Sequence, residues 1–280
     1  MGNPVADYYN QSPELEWTRL TASPYRRIEY EVVRFFLDKH LPSQGAILDL
    51  GGGPGRYALA LAKQGWQATL LDLSEANIRF AETKRKAFGI DQRRMSCQVG
   101  DALDLSRFRG EQFDAALCMG PLYHLPSLPD RLQCLRECRR VLKPQAPLFV
   151  TVLPRLTYLR DALRCGSFAG MIPRQAAVFD EIFEQGISQA SMVPQTYYCR
   201  PDEVKLWFEQ TGFELIELAS CHGFASFMDD RVNEIGKNAE AWNSLIRWVI
   251  STCSDPQALS MAEHLVGVGW KRGNSGERAC

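Results

Sequence analysis

The sequence predicts an α/β fold in which one mostly parallel sheet is covered by helices on both faces. Three observations predict it. Short strand runs alternate with amphipathic helical runs from residue 44 to 153. The strand runs are apolar along their length, as strands buried on both faces are. A glycine-rich loop joins the first strand directly to the helix after it, the junction of a βαβ unit.

The elements follow in order. Residues 24–41 carry a helical pattern with Ile28, Val32, Phe35 and Phe36 on one face, and Leu41-Pro42 ends it. Residues 46–50 form a buried strand, Gly51 to Gly55 a loop, and residues 56–62 a helix closing near Gly65. Residues 68–71 are the second strand. Ser74 caps a helix running to about Phe88 and stopped by Gly89. A weak third strand spans residues 97–99, and a stronger fourth spans 113–119. A helix over 130–142 is stopped by Lys143-Pro144, and 148–153 is the fifth strand.

From 154 to 199 the alternation fails. Pro154, Pro173 and Pro194 lie among Phe168, Met171, Phe179 and Phe183, and a long apolar insert after a core strand suits a lid or a binding wall. Pro201-Asp202-Glu203 starts a helix to Gln210, followed by a strand over 213–218. A helical stretch over 229–251 leads to a last strand over 264–270. The expected organisation is a single domain over 1–280. Residues 1–43 form an N-terminal arm and helix, 44–153 the core, 154–199 the lid insert, and 200–280 the rest of the core.

The chain has 280 residues, 45% hydrophobic and 23% charged, enough apolar material for a full core. A net charge of -1 speaks against a nucleic-acid footprint or an anionic membrane surface. Nine cysteines are scattered without CxxC pairs, so free thiols in a reducing cytoplasm are expected, with no metal site. The N-terminus has neither the basic nor the apolar region of a signal peptide, and no run suits a membrane span. A cytoplasmic location is expected.

The loop Asp49-Leu50-Gly51-Gly52-Gly53-Pro54-Gly55 has glycines that let a ligand lie against the backbone. Its spacing is G-x-G-x-G, and Arg56 stands where a dinucleotide fingerprint needs its last glycine. The segment 47–56 resembles motif I of the class I S-adenosylmethionine (SAM)-dependent methyltransferases. Further marks follow in family order. They are Asp72-Leu73 ending the second strand, Gly100-Asp101-Ala102 after the third, Phe113-Asp114 opening the fourth, and Arg140-Val141-Leu142-Lys143-Pro144 before the fifth. The closing strands, at Gly212-Phe213 and 264–270, complete the set. The resemblance covers 44–153 closely and 200–271 loosely.

The resemblance implies a seven-stranded, doubly wound, Rossmann-like methyltransferase sheet with an antiparallel last strand. It implies SAM as cofactor, with Gly51, Gly52 and Gly53 along its amino-acid part and Asp49 placing its ammonium end. Asp72, with Leu73, would accept both ribose hydroxyls; Asp101, with Ala102, would accept the adenine amine; Met119 would face the methyl donor. The arm around Tyr8, Tyr9 and Glu16 to Leu20 resembles segments that close over SAM, with Arg19 chosen over its competitors Arg26 and Arg27 to pair the ligand carboxylate, or else forming a solvated helix face.

Methyl transfer from a sulfonium is an in-line displacement that alignment alone accelerates, and a base is needed only for acceptors that must lose a proton. His124, just past the fourth strand, is the base candidate, and Tyr123 its neighbour in the pocket; bracing of the loop and core packing are the alternatives. His222 is read as a surface turn, and His40 and His264 as structural. Tyr197-Tyr198 would form a pocket wall or pack in the core. After the fourth strand stands Gly120-Pro121-Leu122-Tyr123, not the Asn/Asp-Pro-Pro-aromatic pattern of base-directed amino methyltransferases. The expected acceptor is a small molecule, with no nucleic acid partner. An RNA- or protein-directed enzyme of the same fold, and a non-catalytic SAM-binding module, are the rivals.

Overall fold

The computed structural model describes residues 3–164, 168–188 and 196–273. Three helices open the chain: α1 (Pro4–Tyr9), α2 (Pro13–Arg19) and α3 (Pro24–His40). Each has proline in its first turn, where the missing N–H costs nothing. The core then alternates as β1 (Ala46–Leu50), α4 (Arg56–Lys63), β2 (Gln67–Asp72), α5 (Glu75–Ala87), β3 (Met95–Val99), β4 (Ala115–Cys118), α6 (Leu128–Val141) and β5 (Pro147–Pro154). Ser74 caps α5 by accepting from the Asn77 amide, and Gly89 beyond its end is left-handed.

Strands run in the order β3-β2-β1-β4-β5 with parallel pairing throughout. β9 (Leu265–Lys271) inserts antiparallel between β5 and β8 (Phe213–Ser220). These seven strands are the predicted sheet, with its antiparallel last strand. Two short strands, β6 (Ile187–Ser188) and β7 (Thr196–Cys199), raise the total to nine. β7 pairs with Leu153 and Pro154 of β5. It fits there because β4 stops opposite Val150 and leaves the end of that edge open.

The insert is thus regular: α7 (Arg155–Arg164) and α8 (Phe168–Gln185) precede β6 and β7. Residues 165–167 and 189–195, with Pro194, lie outside the described residues, as do the side chains of 168–175, with Phe168, Met171 and Pro173. α9 (Pro201–Gln210) precedes β8, and α10 (Asp229–Ile235), α11 (Ala239–Thr252) and α12 (Pro256–Ser260) precede β9.

Several boundaries are corrected. The stretch 229–251 is two helices, broken where the Gly236 amide closes onto Val232. β4 is four residues long, because Phe113 only bridges Leu142 and Met119 already turns away. Phe35 stands at the edge of the apolar stripe of α3 and is half exposed, whereas Ile28, Val32 and Phe36 are buried. The core lies in two layers. One side joins α3, α4 and α11 to the sheet, and the other joins α6 and α9 to it.

Candidate active site

The strand order reverses between β1 and β4, the switch point beyond whose strand ends doubly wound sheets bind their ligands. The glycine loop lies at this point. The Gly51 amide donates to Leu71 O at 2.7 Å and the Gly100 amide to Asp72 O at 3.0 Å, which ties the loops after β1, β2 and β3 together. Gly52 is required by close approach: a Cβ there would stand 2.4 Å from the Asp49 carboxyl carbon. Gly53 has φ +57, and a Cβ on it would meet only Asn77, at 3.8 Å, so the loop presents open backbone there.

Asp49 is buried. Oδ2 accepts from the Ala58 amide at 3.1 Å, while Oδ1 has no hydrogen-bond partner among the described residues. Burial, opposed by the Ala58 bond and aided by the charge of Asp72, pushes its carboxyl up to about 7. Asp72 braces the loop. Oδ2 accepts from the Gly53 amide at 2.8 Å, and Oδ1 from the Ser74 amide at 2.9 Å and Asn77 Nδ2 at 3.3 Å. A carboxylate has about four acceptor positions. Three are taken, so Asp72 retains room for one ribose hydroxyl and not for the two expected. Asn77 Oδ1 beside it is buried with no hydrogen-bond partner among the described residues. Leu73 continues the same loop. Asp101 is exposed at the rim after β3 and accepts from the Leu103 amide at 2.9 Å, with Ala102 half-buried next to it.

The N-terminal arm docks on this frame. Asn10 Oδ1 accepts from Ser74 Oγ at 2.7 Å and from the Ala76 amide at 3.1 Å, so the arm shares the capping of α5. Trp17 packs on Phe80, Arg56 stacks 4.3 Å over the Trp17 ring, and the Arg56 guanidinium donates to Trp17 O.

Past β4, residues 121–124 form a single 3-10 turn with the Pro121 ring set against Gly51. Arg131 of α6 anchors the turn's exit by donating to Leu125 O at 2.7 Å and Pro126 O at 2.9 Å. Met119 is half-buried at the head of this turn and packs toward the α3–α4 side of the core. His124 is buried, and its Nε2 shares a 2.8 Å hydrogen bond with the Tyr9 hydroxyl of the arm. Its ring lies 4.7 Å from that of Tyr123 and 5.4 Å from that of Tyr9. Burial raises the Tyr9 phenol well above its ordinary range, so that hydroxyl keeps its proton.

Arg19 is tied into an ion-pair cluster at the edge of the site. It pairs with Glu29 at 3.2 Å and Glu16 at 3.4 Å. Glu29 also lies 3.7 Å from His264 Nδ1. Burial opposes ionisation of Glu29, but Arg19 and then the two histidines His264 and His222 outweigh it and hold the carboxyl at about 2. A depressed acid stabilises the fold above its unfolded value and loses that contribution as pH falls through 4.5 toward 2. Arg19 is one-third exposed, which screens the pair to about 2 kcal/mol. Glu29→Gln should cost that amount in urea unfolding at pH 7, and the gap from wild type should narrow to about half or less at pH 3 and close only as pH falls below about 2. An equal gap at both values would show that the carboxylate charge contributes nothing.

One histidine reading is corrected, that of His222. His222 is buried, not on a surface turn. It stacks on Tyr25 at 4.9 Å, burial lowers it to about 4, and neither ring nitrogen has a hydrogen-bond partner among the described residues. His264 precedes β9 and faces Glu29, with its ring 6.3 Å from that of Tyr123. His40 is a helix-end residue against Glu217, as expected. Tyr197 and Tyr198 are buried: Tyr197 donates to Glu203 and lies under Arg131, and Tyr198 packs on Tyr158.

Sequence reasoning missed Glu29, Asn77, Asn10 and the burial of His222. Glu29 had a readable signal, an acid one position from Ile28 on the buried stripe of α3. The others depend on tertiary placement.

Residues 47–145 match a family model described as a methyltransferase domain. A ubiquinone biosynthesis O-methyltransferase of Xanthomonas axonopodis is 24% identical over 195 residues, covering 69% of this chain and 70% of that one. Among solved structures, a SAM-dependent methyltransferase from Methanosarcina mazei superposes with a TM-score of 0.59 at 20% identity, over 85% of this chain and 98% of that one. The [4+2]-cyclase SpnF gives 0.55 at 17%, over 87% and 82%. Likeness at that distance shows the fold alone, and SpnF shows that one fold carries more than one chemistry. The matched domain, the O-methyltransferase relative and the strand order together support a class I SAM-dependent methyltransferase.

Proposed function

We propose that this enzyme binds SAM across the crevice at the end of β1 and β2 and methylates a small molecule. The observation that carries the binding reading is Asp49 Oδ1, a buried carboxylate oxygen lacking a hydrogen-bond partner beside an open glycine loop. A cationic ligand is what such an oxygen suits. Gly51, Gly52 and Gly53 would line the amino-acid part of SAM, and Asp49 would face its ammonium end. Asp72 would accept one ribose hydroxyl and Asn77 Oδ1 the other, with Leu73 beside them. Asp101 and Ala102 would meet the adenine. Met119 would stand toward the methyl group. Arg19 would meet the ligand carboxylate with one edge of its guanidinium, the rest being held by Glu29. Bound SAM would supply a methyl group on a good leaving group. The chain's own part is then to orient the acceptor and, where needed, to take its proton.

The acceptor reading rests on the small-molecule relative and on the near-neutral charge. His124 and Tyr123 are the residues assigned to it, and α7 and α8 with the arm are the assigned walls. No described helix is long and apolar enough to cross a membrane, which fits the cytoplasmic location proposed here. Calorimetry with SAM and NAD tests the cofactor, with tight NAD binding and no SAM binding as the overturning result. A metabolite mixture with methyl-labelled SAM tests the acceptor: a labelled small product supports the reading, and label only in RNA or protein overturns it.

The raised carboxyl of Asp49 gives a further check. It is neutral in the free protein below about pH 7, and a cation beside it favours the ionised form. SAM binding should therefore release up to one proton at pH 6 and tighten as pH rises to 7. Calorimetry at pH 6 in two buffers of different ionisation enthalpy reads the proton count, and a count of zero would remove Asp49 from the cation's surroundings.

A further inference from the structure

The sequence offered no metal site, because its nine cysteines form no CxxC pair. Folding changes that. Cys134 and Cys138, one turn apart on α6, meet Cys118, the last residue of β4. All three are fully buried, their sulfurs lie within 4.8 Å of one another, and Cys118 Sγ stands 3.7 Å from Cys134 Sγ. We propose that Cys118, Cys134 and Cys138 form a three-sulfur site for one soft monovalent cation of the copper(I) class, distinct from the methyl-transfer crevice and independent of that assignment.

The spacing supports it. Three sulfurs each about 2.3 Å from a central ion stand about 4.0 Å apart in a plane, close to the separation seen before any ion draws them in. The donor set then chooses the ion. Thiolates select soft cations. No histidine or carboxylate joins the group among the described residues, so a tetrahedral zinc centre lacks its fourth ligand. The surroundings are apolar, with Leu122, Leu135, Leu142 and Leu148 in the same core layer. In the balanced step each sulfur–metal bond replaces an S–H bond, and each proton so displaced leaves to water. No oxidation occurs. A disulfide is the competing use of two of these thiols. It would require Cys118 and Cys134 to close from 3.7 Å to about 2.05 Å, and it would leave Cys138 without a part.

The site would pin α6 to β4 immediately before Met119. The turn beyond carries Tyr123 and His124 and is already held to α6 by Arg131. Occupancy would therefore stiffen the floor of the turn without touching either residue.

The test is anaerobic competition for copper(I) between the reduced full-length protein and a coloured copper(I) chelator. One equivalent should leave the chelator for wild type. Cys118→Ala, Cys134→Ala and Cys138→Ala should each abolish that transfer, while Cys199→Ala and Cys221→Ala, equally buried cysteines elsewhere, should keep it. X-ray absorption on the loaded protein should show about three sulfurs near 2.3 Å. Circular dichroism of each variant separates loss of the site from loss of the fold. If Cys134→Ala fails to fold, Cys138→Ala and Cys118→Ala carry the comparison. The proposal is overturned if wild type withdraws no more copper than these variants, if Cys199→Ala or Cys221→Ala removes it equally, if zinc(II) binds in preference, or if a Cys118–Cys134 disulfide forms in air with no ion taken up before.

Discussion

Asp72→Ala should weaken SAM binding by about ten- to a hundredfold and destabilise the free protein as well. Both effects come from one carboxylate. It holds the Gly53 and Ser74 amides and the Asn77 side chain, so its removal leaves buried donors unpaired beneath the glycine loop. That part should cost about 2–4 kcal/mol in urea unfolding without ligand. The affinity part comes from its one remaining acceptor position. The two are separable with a ligand lacking one ribose hydroxyl. Wild type should bind the full ligand about tenfold more tightly than the deoxy form, a contrast of about 1.4 kcal/mol, and the variant should lose that contrast. If the variant kept it, the ribose contact would belong to Asn77 alone, and Asp72 would be a brace only.

That double duty shows what the sequence conveyed and what it did not. The strand–helix alternation, the glycine loop and the acids at strand ends are local signals, and the sheet was legible from them to within a few residues. Asp72 was legible as an acid at the right place, but its occupancy by three donors depends on how the loop folds over it. The same holds for Arg19. Its position on the arm was readable, but its pairing with Glu29, ten residues on, comes from the packing of α2 against α3. His222 was misread because a Cys-His-Gly turn resembles a surface loop, whereas Tyr25 and the α11 layer cover this one. The elements within the insert were not legible for a different reason. Its two short strands form only because β5 outruns β4 and offers an open edge, a fact about strand lengths that no local pattern encodes.

His124→Ala should lower kcat by about 10²–10⁴-fold at saturating SAM while leaving the SAM dissociation constant within about threefold of wild type. His124 lies on the turn leaving β4, next to Tyr123, and Tyr9 of the arm reaches over to its Nε2. That contact sharpens the test. A histidine that accepts the acceptor's proton through Nε2 must give up its bond to Tyr9 when the acceptor arrives, so Tyr9→Phe leaves the base intact. It should keep kcat within about tenfold of wild type. A histidine that only latches the arm predicts the opposite pattern. Both variants would then fall together, and with them the affinity for SAM, because the arm also caps α5 through Asn10 and packs Trp17 on Arg56. Single-turnover rates for the two variants and for Tyr9→Phe/His124→Ala, set beside their SAM dissociation constants, separate the cases. Losses that coincide in all three variants and track SAM affinity would reject His124 as a base and leave it as the catch that holds the arm closed.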